Sequence, residues 1–440
     1  MKKQEALPLG RFGWALFDWA NQPFFTVVTT FIFGPYVAST MISDPVKGQA
    51  TWAVTQWASG IVIAVLSPFL GAMADAGGRR KPYVFFFQIL VVLGCVPLWW
   101  AYPGRPELVW PIVFAVVLAT IGAEMSIVFN NAQLPDIVRP QRMGRLSGFA
   151  WGLGYIGGLI ALAIVLVAQA VLGNGDSHAI ERATGPASAL WLVVFVLPMF
   201  LFTPDLAKTR SLSLWQCARQ GGASLLTTLR ELRHHRNAFL YLIAFMLYND
   251  GLAAIIAFGG VYAKAAFGWD IRTLGIFGII ITLLAIPGAM LGGWLDDTLG
   301  SRRTVRLATA GVIVATIGIL GITADRVLYV VTAGPLDPTR GLFGSAQELA
   351  FMGFALLLGF CMGPMQAASR TLVGRLAPPG MTGEFFGLFA LSGRATAWMA
   401  PLAVDLVTTQ TQSTRWGIAC VLVFLVAGFV LLGRVREERS

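Results

Sequence analysis

Charged residues are scarce in this chain. Asp, Glu, Lys and Arg make up 12% of its 440 residues and hydrophobic residues make up 56%, with a mean hydropathy of +0.70. An ordinary soluble domain contains about 25% charged residues. The composition therefore excludes that class and predicts an all-α polytopic membrane protein, because long continuous apolar runs cross a bilayer as helices.

Histidine and cysteine are also rare. The three histidines, His178, His234 and His235, lie between apolar runs, which excludes a buried histidine relay for protons. The four cysteines are scattered and have the spacing of neither a metal site nor a disulfide framework. We therefore interpret the cysteines as packing residues and expect no metal and no cofactor.

A short turn motif occurs twice, each time between two long apolar runs. In both copies glycine, aspartate and glycine have the same spacing, and paired arginines follow, as is typical of a tight turn between helices at a membrane face. A second set, of one proline and two glycines, also recurs. Two matched repeats predict two homologous halves of six helices. The first set is Gly71, Asp75 and Gly78 with Gly293, Asp297 and Gly300; the second is Pro140, Gly144 and Gly148 with Pro379, Gly383 and Gly387.

Apolar runs between turn signals predict twelve membrane spans. Six lie in an N-terminal bundle, residues 1–203, and six in a C-terminal bundle, residues 238–440. The polar segment 204–237 joins the bundles, and we interpret it as a solvated cytoplasmic linker. The alternative is a short surface helix at 225–232 with a basic face against anionic lipid. The irregular segment 324–345 is expected outside the membrane. The predicted spans are 12–38, 50–74, 82–102, 108–134, 144–172, 187–203, 238–266, 272–296, 303–323, 347–373, 384–409 and 415–434.

Lys and Arg are concentrated in the loops on the side of the two turn motifs. Cytoplasmic loops carry the excess of basic residues, so both termini are expected in the cytoplasm, with the chain in a bacterial inner membrane. These loops account for the net charge of +10 and form no continuous basic face, so nucleic acid is not an expected partner. The expected partners are the lipid bilayer and a small-molecule substrate, and the chain is expected to be a monomer.

Polar and ionisable residues inside the predicted spans are few. Each is costly in lipid and is therefore a candidate for substrate or proton binding. Our hypothesis is that Arg370 or Arg394 binds an acidic group of the substrate through its planar guanidinium, and that one of three carboxylates carries a proton. For Glu124 the alternative is that it only neutralises an arginine. The candidates are Asp18, Asn21, Glu124, Asn130, Asn131, Asn249, Asp250, Arg370 and Arg394, of which Asp18, Glu124 and Asp250 are the carboxylates.

Charged residues near the span ends suggest a cytoplasmic gate. Glu384 is expected to pair with Arg79 or Arg80. Arg145 is expected to pair with Asp296 or Asp297, and Asp75 belongs to the same set of charges. Exposed ion pairs contribute about 0–1 kcal/mol, which is enough to shift an equilibrium between two nearly balanced states. The alternative is that these charges only fix the topology.

The turn motif resembles the loop signature of the major facilitator superfamily. Longer segments resemble one branch of it, the vacuole-effluxer-like family that includes the fungal autophagy-related amino-acid effluxer. These segments are 14–21, 129–136, 144–148, 249–251, 257–260, 366–370 and 384–394. The resemblance implies a twelve-helix fold, alternating access, and export of amino acids or similar small solutes, and it adds Gln366 to the candidate residues.

Two other functions stay open. One is a lipid or amphiphile exporter of the same fold, for which an apolar cavity open sideways to lipid would be evidence. The other is a membrane-embedded enzyme acting on lipid-linked substrates. An enzyme would need a clustered acid pair, a nucleophile with a base, or metal-ligand spacing. The sequence has none of these patterns, so a transporter is favoured.

Overall fold

The computed structural model describes residues 5–42, 44–173, 178–205, 213–230, 235–323, 326–332, 334 and 341–437. In these residues the chain is almost entirely helical. Helix α1 (Pro8–Pro23) continues through π-helical turns at Phe24–Phe31 and Val37–Met41, with the short helix α2 (Phe33–Tyr36) between them. The next helices are α3 (Pro45–Gly77), α4 (Lys81–Cys95), α5 (Pro106–Ile137), α6 (Met143–Leu172), α7 (Ala179–Phe202) and α8 (Leu214–Arg230).

The remaining helices follow the same pattern. They are α9 (Arg236–Phe267), α10 (Ile271–Leu299), α11 (Ser301–Leu320), α12 (Ala346–Leu376), α13 (Thr382–Ala395), α14 (Met399–Thr411), α15 (Thr414–Ala419) and α16 (Val421–Leu432). Within the described part of segment 324–345, expected to be irregular, two residue pairs form an antiparallel ribbon of β1 (Arg326–Val327) and β2 (Val331–Thr332). Part of that segment lies outside the described residues.

Among the described residues, eleven helical segments are long and apolar enough to cross a membrane. They match eleven of the twelve predicted spans. The remaining prediction, 384–409, covers two shorter helices, α13 and α14, which are separated by a turn at 396–398. Pro401 lies in the first turn of α14, a position that tolerates the missing proline N–H, and it cannot supply the hydrogen bonds of a continuous helix. This span is therefore interrupted next to Arg394.

The chain divides into two compact units. Unit 1 consists of Met1–Glu231 and Val373–Arg394; unit 2 consists of Leu232–Leu372 and Ala395–Ser440. The core of unit 1 is apolar and contains Phe17, Phe33 and Phe129, each 0% exposed. A core cluster of unit 2 contains Tyr262, Trp269 and Phe351. The boundaries 1–203 and 238–440 of two six-helix bundles stay a prediction.

Both turn motifs form the expected tight turns. Helix α3 ends at Gly77, and Gly78 has φ 80°; helix α10 ends at Leu299, and Gly300 has φ 95°. A side chain at either position would be strained in this left-handed region, which explains why both are glycine. In each case the next long helix begins within three residues of the glycine.

The helix after each turn motif is capped in the same way. Asp205 accepts hydrogen bonds from the backbone N–H groups of Arg80 (3.0 Å) and Lys81 (3.2 Å). Glu437 accepts them from Ser301 and Arg302, both at 2.9 Å. A carboxylate at a helix N-terminus satisfies free donors and complements the helix dipole. This shared device supports homologous halves, and the sequence analysis did not detect it.

The segment 204–237 contains helix α8 and is not a plain linker. Helix α8 is longer than the alternative that we considered at 225–232. It lies against α3, and the backbone at Gly221 approaches Met73 so closely that a Cβ atom would lie 2.5 Å from the Met73 nitrogen. Residues 206–212 and 231–234, which include Lys208, Arg210, Arg233 and His234, lie outside the described residues.

Candidate functional site

An ion pair joins two of the predicted candidates in unit 1. The Arg394 guanidinium, through Nη2, donates to Oε1 of Glu124. The side chains of Arg394 and Glu124 are 29% and 22% exposed, so the pair is accessible rather than sealed in the core. Glu124 thus neutralises an arginine, as the structural alternative proposed. The other N–H groups of Arg394 still provide a fork that suits a carboxylate or phosphate.

A buried polar cluster crosses three helices of unit 1. The Gln88 amide nitrogen donates to Oδ1 of Asn21 (3.1 Å) and to Oγ of Ser126 (3.0 Å). The Asn21 amide nitrogen donates in turn to the carbonyl of Phe17 at 3.0 Å. The sequence analysis selected Asn21 but not Gln88 or Ser126. The available signal was that Gln88 is the only polar side chain in the run 84–95.

Helix α5 carries two further buried amides, which follow Ser126 of this cluster in the sequence. Asn130 is 0% exposed and Gln133 is 2% exposed. Within the described part of the chain, neither amide has a hydrogen-bond partner for its side-chain nitrogen or oxygen. The Asn130 backbone carbonyl accepts from the Trp14 indole at 2.7 Å. Because a buried amide without a partner is costly, these groups are candidates for binding a polar solute.

Arg80 is the centre of the network at the first turn motif. Its side chain is 3% exposed, and its guanidinium contacts the carboxylates of Asp75 (3.2 Å) and Asp136. It also donates to the carbonyl of Ala132 at 2.6 Å. The guanidinium of Arg80 is directed to these two aspartates. The described residues Arg80 and Glu384 therefore do not form the expected ion pair. Arg79, the other expected partner, is exposed.

Asp75 and Glu384 nevertheless meet through the backbone. The Asp75 carboxylate accepts from the N–H groups of Gly383 and Glu384, both at 2.9 Å. It thus occupies the N-terminus of α13, where free N–H groups and the helix dipole favour an anion. The Glu384 side chain is 1% exposed, and its Oε2 accepts from Oγ of Ser224 in α8 at 3.0 Å.

Helices α3 and α13 are in close backbone contact at this point. A Cβ atom at Gly71 would lie 2.1 Å from the Gly383 carbonyl oxygen, and one at Gly387 would lie 2.2 Å from the Ser67 carbonyl oxygen. The Ser67 hydroxyl donates to the Gly387 carbonyl at 2.9 Å. Glycine permits this approach, so three of the repeated glycines have a packing role as well as a turn role.

In unit 2, Asp250 is a buried carboxylate. It lies in helix α9 and is 2% exposed. Neither of its oxygens has a hydrogen-bond partner among the described residues. Thr396 lies beside Asp250, at the break between α13 and α14. Its hydroxyl does not have the geometry of a hydrogen bond to the carboxylate. An isolated ionised carboxylate in a membrane span is costly, so this position favours binding of a proton or another cation.

Other polar groups of unit 2 form two buried clusters. The Tyr241 and Tyr248 hydroxyls bond to the carbonyl and the hydroxyl of Ser369, each at 2.7 Å. Asp296 accepts from Ser301 (2.7 Å) and from Thr371. The sequence analysis missed both tyrosines, Ser369 and Thr371, because hydroxyl-bearing residues are common in spans and carry no charge.

The remaining candidates lie in or next to these elements. Asn131 and Arg370 are buried, at 7% and 3% exposure. Asp18, Asn249, Gln366 and Asp297 are half-buried, and Arg145 is exposed. A pair of Arg145 with Asp296 or Asp297 would join units 1 and 2, and it stays a prediction.

Unit 1 contains a polar cavity and an apolar groove. The cavity, of about 910 Å³, lies at the first turn motif and is lined by Arg80, Asp136 and Arg139 among others. The groove, of about 500 Å³, follows one face of α6 and is lined only by apolar residues, from Ile160 to Leu172. Because one face of a single helix lines this groove, it is an open apolar surface and not the apolar cavity that we associated with an amphiphile exporter.

Comparison with known proteins decides the family. Residues 49–440 match the profile of the vacuole effluxer Atg22-like family. The chain belongs to this family. Among its relatives, an uncharacterised MFS-type transporter of Bacillus subtilis, YxiO, is 26% identical over 97% of this chain and 95% of its own length.

The fungal relatives that match this chain are longer than it is. Autophagy-related protein 22 of Cryptococcus neoformans is 24% identical over 67% of this chain, and the match spans 51% of the fungal protein.

The fold is similar to that of a solved transporter. The major facilitator superfamily transporter FucP, solved in its outward conformation, aligns with 98% of this chain and 99% of the FucP chain, with a TM-score of 0.73 at 12% identity. The fold is therefore that of the major facilitator superfamily, and this Atg22-like protein is a membrane transporter rather than an enzyme.

Proposed function

We propose that this Atg22-like protein exports a small amino acid or a similar zwitterion or anion, in exchange for protons. The observation that carries the proton step is Asp250, which is buried in helix α9 with neither oxygen bonded among the described residues. Of the three candidate carboxylates, Glu124 forms an ion pair with Arg394, and Asp18 already has an interaction partner. Asp250 is therefore the preferred proton carrier.

Arg394 is the preferred substrate ligand. Its ion pair with Glu124 is partly exposed, so the carboxylate of an incoming substrate can compete with Glu124 for the guanidinium. A planar fork binds either carboxylate with similar geometry. Exchange of one acid for another keeps the arginine paired throughout, which lowers the desolvation cost of binding. Asn130 and Gln133, on the same helix as Glu124, are proposed to bind the rest of a polar solute through their buried amides.

The gate is proposed to be the contact of Asp75 with the N-terminus of α13. It is supported by two backbone hydrogen bonds and by the glycine contacts of α3 with α13. In this proposal both termini and both turn motifs are cytoplasmic, in a bacterial inner membrane, so the contact closes the cytoplasmic side. Opening would break a small number of directional bonds rather than a large apolar interface.

Replacing Asp250 with asparagine tests the proton step. The purified protein is reconstituted in liposomes, and uptake of leucine, glutamate and arginine, as zwitterionic, acidic and basic probes, is measured with and without a pH gradient. We expect the gradient to drive accumulation of at least one probe. The Asp250→Asn variant should lose this accumulation, because an amide cannot carry the proton, and should retain exchange of labelled for unlabelled probe.

Asp405→Asn is the matched control, because Asp405 is an exposed carboxylate in unit 2, and it should behave as the unchanged protein. Accumulation that persists in Asp250→Asn would refute the assignment of the proton step. If a gradient drives no probe in the unchanged protein, the proposed class of substrate is wrong.

The second candidate is export of an amphiphile, for which the apolar face of α6 is the surface to test. An acyl chain could lie along Ile160, Ile164 and Val167, which are exposed apolar side chains of one helix face. Lysophosphatidylcholine is therefore included as a further probe in the binding experiment described below.

A further inference from the structure

Three arginines of unit 1 surround the carboxylate of Glu5. Nη1 of Arg11 lies 3.3 Å from this carboxylate, and Nε of Arg139 lies 3.6 Å from it. Nη1 of Arg142 lies 3.8 Å from it. Arg11 belongs to α1, whereas Arg139 and Arg142 lie in the short turn between α5 and α6. We call Glu5 and its three arginines the Glu5 cluster, and one carboxylate among three guanidiniums leaves an excess of positive charge.

Residues 5 and 6 are fastened to the same turn through the backbone. The backbone N–H of Arg139 donates to Oε1 of Glu5 at 3.4 Å. The backbone N–H of Ala6 donates to the carbonyl of Ile137 at 3.0 Å, and Ala6 is buried. These bonds hold the Glu5 carboxylate at a defined place in front of the turn.

Two of the three arginines extend into solvent. The side chains of Arg139 and Arg142 are 63% and 64% exposed, whereas that of Arg11 is 23% exposed. Arg139 contacts Glu5 through Nε, and Arg142 contacts it through Nη1. Among the described residues, neither side chain has another hydrogen-bond or ion-pair partner. Because a guanidinium has three nitrogens that carry hydrogen, each arginine still has donors for a ligand.

The polar cavity at the first turn motif adjoins the Glu5 cluster. Glu5 and Arg139 line it, together with Arg80 and Asp136. Its volume of about 910 Å³ lies within the range of small-molecule sites, about 300–1,000 Å³. Its walls include the turn between α5 and α6 and the turn between α12 and α13. The cavity therefore has room for a ligand directly beside the cluster.

Basic residues outnumber acidic residues around this cavity. Two carboxylates share the Arg80 guanidinium, but three arginines share the Glu5 carboxylate. Arg375 adds a further guanidinium, which donates to the carbonyl of Pro140 on the cavity wall at 3.0 Å. The arginines are Arg11, Arg80, Arg139, Arg142 and Arg375, and the acids are Glu5, Asp75 and Asp136. This balance favours an anionic ligand.

We propose that the Glu5 cluster and the adjoining cavity bind a phosphate group, with Arg139 and Arg142 as its ligands. Arg139 approaches Oε1 of Glu5 and Arg142 approaches Oε2, so a single anion already lies between the two guanidiniums. A phosphate group has a charge of about −1 to −2 and several acceptor oxygens, so it fits the excess of arginine better than one more carboxylate. In this proposal Glu5 competes with the phosphate for the same donors.

Ligand-dependent stabilisation of the full chain in detergent tests the site. The melting temperature is measured with rising inorganic phosphate, at an ionic strength held constant with chloride, because salt screens exposed charges. It is measured separately with phosphatidylglycerol added to the micelles, and with phosphatidylcholine, whose headgroup has no net charge, for comparison. We expect inorganic phosphate or phosphatidylglycerol to raise the melting temperature, because a ligand of the folded state stabilises it.

Variants of the cluster should shift the affinity in opposite directions. Arg139→Gln combined with Arg142→Gln should weaken binding at least about tenfold, because charge-assisted hydrogen bonds to the phosphate are lost. Glu5→Gln should strengthen it about threefold, because the competing carboxylate is removed. Arg105→Gln is the matched control: Arg105 is 65% exposed and contacts Glu107 at 3.7 Å at the other end of α5. It should bind as the unchanged protein does.

The two ligands separate the possible sources of the phosphate. Stabilisation by phosphatidylglycerol alone would assign the site to a lipid headgroup, and stabilisation by inorganic phosphate would assign it to a soluble phosphate. Stabilisation by neither ligand would overturn the proposal, as would an affinity that the variants at residues 5, 139 and 142 leave unchanged. The Glu5 cluster would then serve only to fasten residues 5 and 6 to the turn. None of these readouts requires transport, so they are independent of the proposed substrate.

Discussion

Arg79 and Arg80 are neighbours with opposite environments. Arg79 is exposed, whereas Arg80 is 3% exposed and its guanidinium bonds to Asp75, Asp136 and the carbonyl of Ala132. Removing one member of a buried charge network leaves the others buried without compensation, which costs more than the network contributes as a whole. The two arginines therefore differ in importance although the turn motif presents them as a pair.

Arg80→Gln should destabilise the protein strongly. It leaves the carboxylates of Asp75 and Asp136 without their guanidinium, at a cost of about 3–5 kcal/mol. Arg79→Gln is the matched control and should change the stability by no more than about 0.5 kcal/mol, as is usual for surface substitutions. Thermal unfolding of both variants in the same detergent measures the difference. Equal melting temperatures would mean that the buried network does not contribute to stability.

The sequence was sufficient to select several charged residues that the structure places in buried or half-buried networks, but it did not predict their partners. Glu124, Asp250 and Arg394 were selected because charge in a span is rare, and Asp75 and Arg80 were selected because they belong to the turn motif at the end of a span. Their partners were harder to predict, because a guanidinium can reach any acid on a neighbouring helix, and the sequence does not fix which helices are in contact. Neutral members such as Gln88, Ser126 and Ser224 carry too weak a signal in a chain that contains many polar neutral residues.

At the scale of the elements, α3 and α13 pack through glycine. Gly71, Gly383 and Gly387 bring the two backbones together, and the bonds of Asp75 to the start of α13 depend on that proximity. The repeated glycines were predicted as turn and helix-start signals. Their role in this contact depends on the packing of segments more than 300 positions apart, which the local sequence does not specify.

Gly71→Ala should separate α3 from α13. The new Cβ would lie 2.1 Å from the Gly383 carbonyl oxygen, so a backbone must move, at a cost typical of overpacking, about 1–3 kcal/mol. Gly60→Ala is the matched control on the same helix, because a Cβ there meets nothing within 4 Å. Labelling of Ser67→Cys, at a position that is 0% exposed, should be faster with Gly71→Ala and unchanged with Gly60→Ala.

The labelling is followed by mass spectrometry of the peptide that contains residue 67, so reaction of the native cysteines does not interfere. A labelling rate that Gly71→Ala leaves unchanged would contradict the role of this contact in closing the gate.

At the scale of the whole molecule, the fold was more predictable than the substrate. Length and hydropathy indicate a polytopic helical protein, because the bilayer restricts the chain to spanning helices. The repeated turn motif indicates two homologous halves, and its resemblance to the superfamily's loop signature implies the facilitator fold. Substrate choice depends on a few side chains in partly exposed positions. The fold shared with FucP therefore does not identify the solute, which in our proposal depends on Arg394.

Ligand-induced stabilisation can separate the two candidate functions. A ligand that binds the folded protein at 100 times its dissociation constant stabilises it by about 2.7 kcal/mol. We expect a rise in the melting temperature with at least one of leucine, glutamate and arginine, and we expect Arg394→Gln to abolish it. Asp250→Asn should retain the rise, because in our proposal Asp250 binds the proton and Arg394 binds the substrate. A rise with lysophosphatidylcholine alone, still present in Arg394→Gln, would favour the groove on α6 and export of an amphiphile.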